Sequence, residues 1–163
     1  MKQPHRLLVS AALAAALLAA CSGQNANELI ASARQHLDQG DRAAAVIELK
    51  SALQQSPNLA EARFLLGTAL LKGGDPTGAA VELRKAMDLK FDASKVVPPL
   101  ANAMALTGNA KQVLELFGQT VLSDAGAEAD LKITLARAYG SLGQRESAQQ
   151  AAAVQAKQAE QVQ

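Results

Sequence analysis

Residues Glu61 to Leu89 read EARFLLGTALLKGGDPTGAAVELRKAMDL. Two runs rich in Ala and Leu, with apolar residues recurring three and four apart, flank the break Gly73-Gly74-Asp75-Pro76. That spacing puts the apolar side chains on one face of an α-helix, so the stretch is two helices separated by a turn. Gly74 supplies the left-handed residue that stops the first helix. Asp75 offers a side-chain oxygen to the unpaired N–H groups at the start of the second. Pro76 falls at the first helical position, where its missing N–H costs nothing. Glu61 to Leu89 is therefore a helical hairpin.

The same punctuation recurs along the chain. Gly40, Gly74, Gly108 and Gly143 are spaced by 34, 34 and 35 residues. Seven residues before them stand Ala33, Gly67, Ala101 and Ala136, and five residues after them Ala45, Ala79, Val113 and Ala148. Small residues at fixed places mark where two helices approach closely, and Leu49, Leu83 and Phe117, nine residues after the glycines, fill the space around them. Positions twelve after, Ala52, Ala86 and Thr120, fall on the same face of each second helix. Asp41 and Asn109 are expected to cap as Asp75 does. Pro57 closes the first repeat. Pro98-Pro99 stand where the first helix of the third repeat should already be under way, so that helix is expected to begin near Pro98, a turn short. The fourth repeat has Gln144 in place of an Asp and runs on in Gln and Ala to Gln163, as a polar end-cap of a stacked array would. Repeats at about 26–59, 60–93, 94–128 and 129–163 account for nearly everything after residue 27.

Composition agrees with an all-α chain. Of 163 residues 49% are apolar but only 2% aromatic, and the strand formers Val, Ile and Thr are sparse. One cysteine, Cys21, excludes an intrachain disulfide or a cysteine zinc site, and two histidines leave little for metal or triad chemistry. His36 occupies a position held elsewhere by Leu70, Met104 and Tyr139, so it is read as a packed, partly buried side chain. No nucleophile elbow or phosphate loop is present in the sequence. The chain is expected not to be an enzyme and to need no cofactor or metal.

Lys2, His5 and Arg6 precede an uncharged run from Leu7 to Ala20, which is shorter than the roughly 20 residues of a membrane span. This pattern is expected of a signal peptide over residues 1–20, and Leu18-Ala-Ala-Cys21 resembles the bacterial lipobox. The resemblance implies lipidation at Cys21, a lipidated tether over 21–27, and, because Ser22 is not Asp, attachment to the outer membrane on its periplasmic side. Removing Lys2 and Arg6 leaves 14 basic against 15 acidic groups, which gives no electrostatic case for nucleic acid. A small-molecule substrate is not expected either.

A helical-hairpin period of 34 residues, with Leu66-Gly67, Ala69, Gly74-Asp75, Ala79, Leu83 and Ala86 on pattern, resembles the tetratricopeptide repeat. The resemblance implies a solenoid of about four hairpins over 28–163, with a protein-binding groove lined by the first helix of each. Carried over by position, Ile30, Arg34, Phe64, Thr68, Lys72, Asn102 and Arg137 would line that groove, together with Leu71, Asp130 and Ile133. Arg34, Thr68, Asn102 and Arg137 each lie six residues before a glycine and form one polar row, with Ile30 and Phe64 as apolar anchors. The Lys and Asn with which chaperone-binding relatives grip a carboxylate are replaced by Ile30 and Arg34, which disfavours that role. The run from Glu61, the continuation Ala80-Val-Glu-Leu-Arg-Lys-Ala-Met-Asp-Leu89 and Val97-Pro-Pro-Leu-Ala101 are similar to tetratricopeptide lipoproteins of the PEP-CTERM/exosortase exopolysaccharide system. That similarity implies a membrane-anchored periplasmic scaffold for exopolysaccharide export or protein sorting. The alternative is an outer-membrane assembly or pilotin-type lipoprotein for a pilus or secretin.

Overall fold

The computed structural model describes residues 24–144 and 147–149. Cys21, the leader and nearly all of the fourth repeat's second helix lie outside the described residues. Among the described residues seven helices follow one another: α1 (Ala26–Asp38), α2 (Arg42–Gln55), α3 (Ala60–Lys72), α4 (Pro76–Asp88), α5 (Ala93–Leu106), α6 (Ala110–Phe117) and α7 (Ala125–Ser141). Among the described residues there is no strand. The pairs α1/α2, α3/α4 and α5/α6 are hairpins, each second helix packs on the first helix of the next pair, and α7 opens the fourth repeat. The expected all-α solenoid of helical hairpins is the fold observed.

Each turn inside a repeat is built as the sequence implies. Gly40, Gly74, Gly108 and Gly143 have φ of 81°, 84°, 82° and 74°, the left-handed region that glycine enters without a Cβ penalty. Around Gly40 the Asp41 N–H donates to the His36 carbonyl (2.8 Å) and the Gly40 N–H to Leu37 (3.1 Å), the paired bonds of a Schellman stop. The same pair forms around the other three glycines. Asp41 then accepts from the Ala44 N–H at 3.0 Å and Asp75 from the Gly78 N–H at 2.8 Å, with Pro76 at the head of α4. Asn109 departs from expectation: its carboxamide makes no cap bond to α6 and instead donates to the Thr107 hydroxyl at 2.8 Å. A fifth Schellman stop ends α4, with Phe91 N–H on Ala86 (3.0 Å) and Lys90 N–H on Met87 (2.9 Å). Here the left-handed residue is Lys90, at φ 64°, where an L side chain is strained.

Helix α1 begins earlier than a tether ending at residue 27 implies. Asn25 accepts from the N–H groups of Asn27 and Glu28, and the Glu28 carboxylate answers at the Asn25 N–H, a complete capping box that draws Ala26 and Asn27 into the first turn.

The repeating positions form the core. Ala33, Ala45, Leu49, Ala52, Ala79, Leu83, Ala86, Leu100, Ala101 and Val113 are fully buried. Gly67 is the tightest approach: a Cβ there would lie 2.6 Å from Leu83 Cγ and 3.1 Å from the Leu83 backbone nitrogen. The core has two clusters, one around α1, α2 and the buried side of α3, the other running from α4 to α7, and Leu70 packs against both. Arg63 fastens α3 to its surroundings, donating to the Pro57 carbonyl (2.8 and 3.1 Å) and to Glu82 of α4 (2.5 Å), with both charged side chains only 14% exposed.

The third hairpin corrects two expectations. Helix α5 does not start at Pro98; it starts at Ala93, capped by Asp92 on the Ser94 N–H at 2.9 Å, and runs through both prolines. Proline removes bonds only to residues four earlier, so the first turn survives, and burial of Val96, Val97, Pro98 and Leu100 against the neighbouring helices holds the backbone helical. Helix α6 ends at Phe117, so Thr120 lies outside the helix on whose face the repeat would put it. Gly118, a poor helix former, and the β-branched pair Thr120-Val121 follow. Leu122 returns to the core, and its N–H donates to the buried carboxylate of Glu128 in α7 at 2.8 Å.

Candidate functional site: the first-helix face

The residues expected to form one row do not have equal freedom. Ile30 is buried in the first core cluster, so its side chain packs inside the fold and is not an exposed anchor. Arg34 is ion-paired with Glu61 across α1 and α3. Phe64 is half-buried, its ring stacked on Phe91 with centroids 4.8 Å apart. The Thr68 hydroxyl donates to the Leu65 carbonyl of its own helix at 2.9 Å. Lys72 is exposed at the end of α3. Over α1 and α3, charges and aromatic faces are thus largely satisfied within the chain.

Further along, the same face opens into a pocket of about 320 Å³. Helix α5 contributes Pro98, Pro99 and Asn102, and α7 contributes Asp130, Ile133, Thr134 and Arg137, with Leu71 of α3 at the edge. Asn102 and Arg137 are therefore brought together, and among the described residues neither side chain makes a hydrogen bond or ion pair within the chain. The Thr134 hydroxyl is turned to the Asp130 carbonyl at 3.1 Å. The volume and the mixture of apolar wall with few polar groups suit a side chain or short segment of a ligand. The register explains the convergence: Pro98 and Ile133 lie ten, Pro99 and Thr134 nine, and Asn102 and Arg137 six residues before their glycines. Pro98, Pro99 and Thr134 were not among the expected lining residues. Their offsets were the available signal, and placing the helix start at Pro98 removed the prolines from consideration.

A second cleft, of about 630 Å³, lies between the turns of the first two repeats. Its apolar wall includes Val46, Leu70 and Ile47, and Ile47 is 66% exposed.

His36 is partly buried, as its position in the repeat implies. Its Nε2 lies 3.6 Å from Glu48 Oε1 and its Nδ1 3.9 Å from Asp41 Oδ2. The neighbouring Ser32 hydroxyl donates to Glu48 at 3.0 Å and not to the imidazole, so His36 and Ser32 do not form a nucleophile–base pair. Among the described residues no three His, Cys, Asp or Glu side chains converge as metal ligands, and no helix is long and apolar enough to cross a membrane.

Stacked helical hairpins with a ligand-sized pocket on the first-helix face define an all-α hairpin solenoid. The tetratricopeptide repeat family model matches residues 36–97. Two solved structures of MamA are similar in fold: one has a TM-score of 0.75 at 20% identity, covering 84% of this chain and 80% of that chain. The other has a TM-score of 0.73 at 20% identity, covering 83% and 74%. No curated protein matches the chain.

Proposed function

We propose that this chain is a non-enzymatic, membrane-anchored scaffold that holds a protein partner in the groove along its first helices. The observation that carries the reading is the pocket between α5 and α7, which Asn102 and Arg137 line with no hydrogen-bond or ion-pair partner among the described residues, whereas Arg34 is committed to Glu61. Buried repeat positions fix the helices, so the pocket is presented by a rigid frame. The anchor is supported by the Leu18-Ala-Ala-Cys21 motif alone, and a periplasmic outer-membrane site by Ser22 after it. A role in exopolysaccharide export or PEP-CTERM protein sorting is supported by the similarity around Glu61–Leu89 and Val97–Ala101. Neighbouring genes for polysaccharide synthesis and exosortase would favour that role, and pilus or secretin genes the assembly-factor alternative.

The groove is tested by placing a photo-crosslinking residue at half-buried Ile133 or, as control, at exposed Lys50 on α2, in native membranes. Capture from Ile133 that is lost on Arg137→Glu, with the Lys50 variant capturing nothing comparable, is the expected result. Equal capture from both positions sinks the groove reading. Cys21→Ser should release the protein from membranes, and an intact mass lacking acyl chains in a lipoprotein-making host overturns the anchor.

A further inference from the structure

The pocket's two ends differ in chemistry. Along α5 and α7, Lys95 and Asp130 stand thirteen residues before their glycines, and Asn102 and Arg137 six before. Seven residues of helix separate Asp130 from Arg137, about 10 Å at 1.5 Å per residue. The Arg137 end supplies N–H donors. At the Asp130 end the backbone of α5 is altered: in a continuous helix the Ser94 and Lys95 carbonyls accept from residues 98 and 99, and both of these are proline. Two carbonyls in the turn of α5 that leads into the pocket-lining Pro98 and Pro99 therefore lack their i+4 donors. Asp130 is exposed, and among the described residues its carboxylate joins no ion pair. The ammonium of Lys95 lies 4.0 Å from Asp92, on its own helix's first turn. With Lys95 turned to Asp92, the Asp130 carboxylate and the two carbonyls are the acceptors this end offers.

The geometry points to a site for a basic side chain: the Asp130 end of the pocket takes the ammonium or guanidinium of a Lys or Arg carried by an extended protein segment lying in the groove. This rests on the groove reading above and adds the chemistry of the partner. An ionised donor suits the set, since a carboxylate and neutral carbonyls all accept, and a charge-assisted hydrogen bond is about twice as strong as a neutral one. The alkyl stem of such a side chain packs on Pro98, Pro99 and Ile133 while its head reaches the acceptors. An extended segment rises about 3.3 Å per residue, so a backbone carbonyl of the segment three residues away reaches the donors of Asn102 and Arg137.

The test is an NMR titration of the ¹⁵N-labelled full chain with capped pentapeptides of alanine whose central residue is Arg, Lys, norleucine or Glu. The Arg and Lys peptides should shift the amides of residues 100–102 and 130–134 at concentrations about tenfold below norleucine, the scale of one charge-assisted contact. Asp130→Asn, which keeps the side chain's size, should remove that preference. Pro98→Ala combined with Pro99→Ala returns N–H donors to the Ser94 and Lys95 carbonyls and should weaken the Arg peptide several-fold more than norleucine, which loses only the proline wall. Stronger binding of the Glu peptide, an Arg preference that survives Asp130→Asn, or pocket shifts with none of the four overturns the assignment. The cross-linking at Ile133 decides the groove reading separately, so the two can fail independently.

Discussion

The second hairpin and the third share one repeat and differ in nearly every irregularity. Helices α3 and α4 have 13 residues each, Asp75 caps the second of them, and Gly67 lets the pair close onto Leu83. In the third hairpin α5 carries two prolines, Asn109 makes no cap bond, and α6 has 8 residues. The groove follows suit: the regular part is closed by the Arg34–Glu61 pair and the Phe64–Phe91 stack, while the pocket opens beside the prolines. Regularity here holds the frame, and departures from it coincide with the surface that has unpaired groups to offer.

That contrast can be broken most forcefully at Leu83. Leu83→Ala empties a fully buried site between two complete helices and should cost about 2–5 kcal/mol by denaturant unfolding. Phe117→Ala removes more volume, but next to a loop able to settle inward, so it should fall at the low end of about 3–5 kcal/mol. A Phe117 loss far above that of Leu83 would mean that the third hairpin is as rigid as the second. Next in size is Gly67→Leu, which overpacks the α3/α4 contact and should lower stability by roughly 1–3 kcal/mol; an unchanged midpoint would show the helices to be further apart.

Cap substitutions sharpen the comparison further. Asp75→Ala should cost about 1 kcal/mol, whereas Asn109→Ala, which removes no cap bond, should cost only a few tenths. Equal losses in thermal melts would place a working cap at Asn109 after all. The smallest effect is a gain: Lys90→Gly relieves the left-handed lysine and should stabilise by about 0.5–1 kcal/mol, less than the full steric relief because glycine also loosens the unfolded chain.

The repeat was legible because its determinants are local. Glycine at fixed spacing, Asp after it and small residues at the close approaches each act within one turn or one hairpin, and all appear in the text of the sequence. The course of α5 was not, since a proline pair stops a helix in isolation and only tertiary burial of Val96, Val97 and Leu100 keeps this one intact. Ile30 failed as an anchor for a similar reason: its place in the repeat gave its helix face, but burial depends on how α1 settles against α2 and α3. Asn102 and Arg137 were found by register, while their pairing state, and the contrast with Arg34, required the partners' coordinates.

Helix α3 has a further role that follows from its two-sided packing. Ala62 and Leu66 belong to the first core cluster, whereas Phe64 and Leu71 pack against the second and Leu70 touches both. In a one-dimensional array cooperativity passes only between neighbours, so α3 is the single coupling element through which the two blocks sense each other. Opening of the first block strips one flank of α3 and lowers the free energy needed to open the second. Amide hydrogen exchange would register this as slowest exchange in α3, with protection decaying in both directions along the chain.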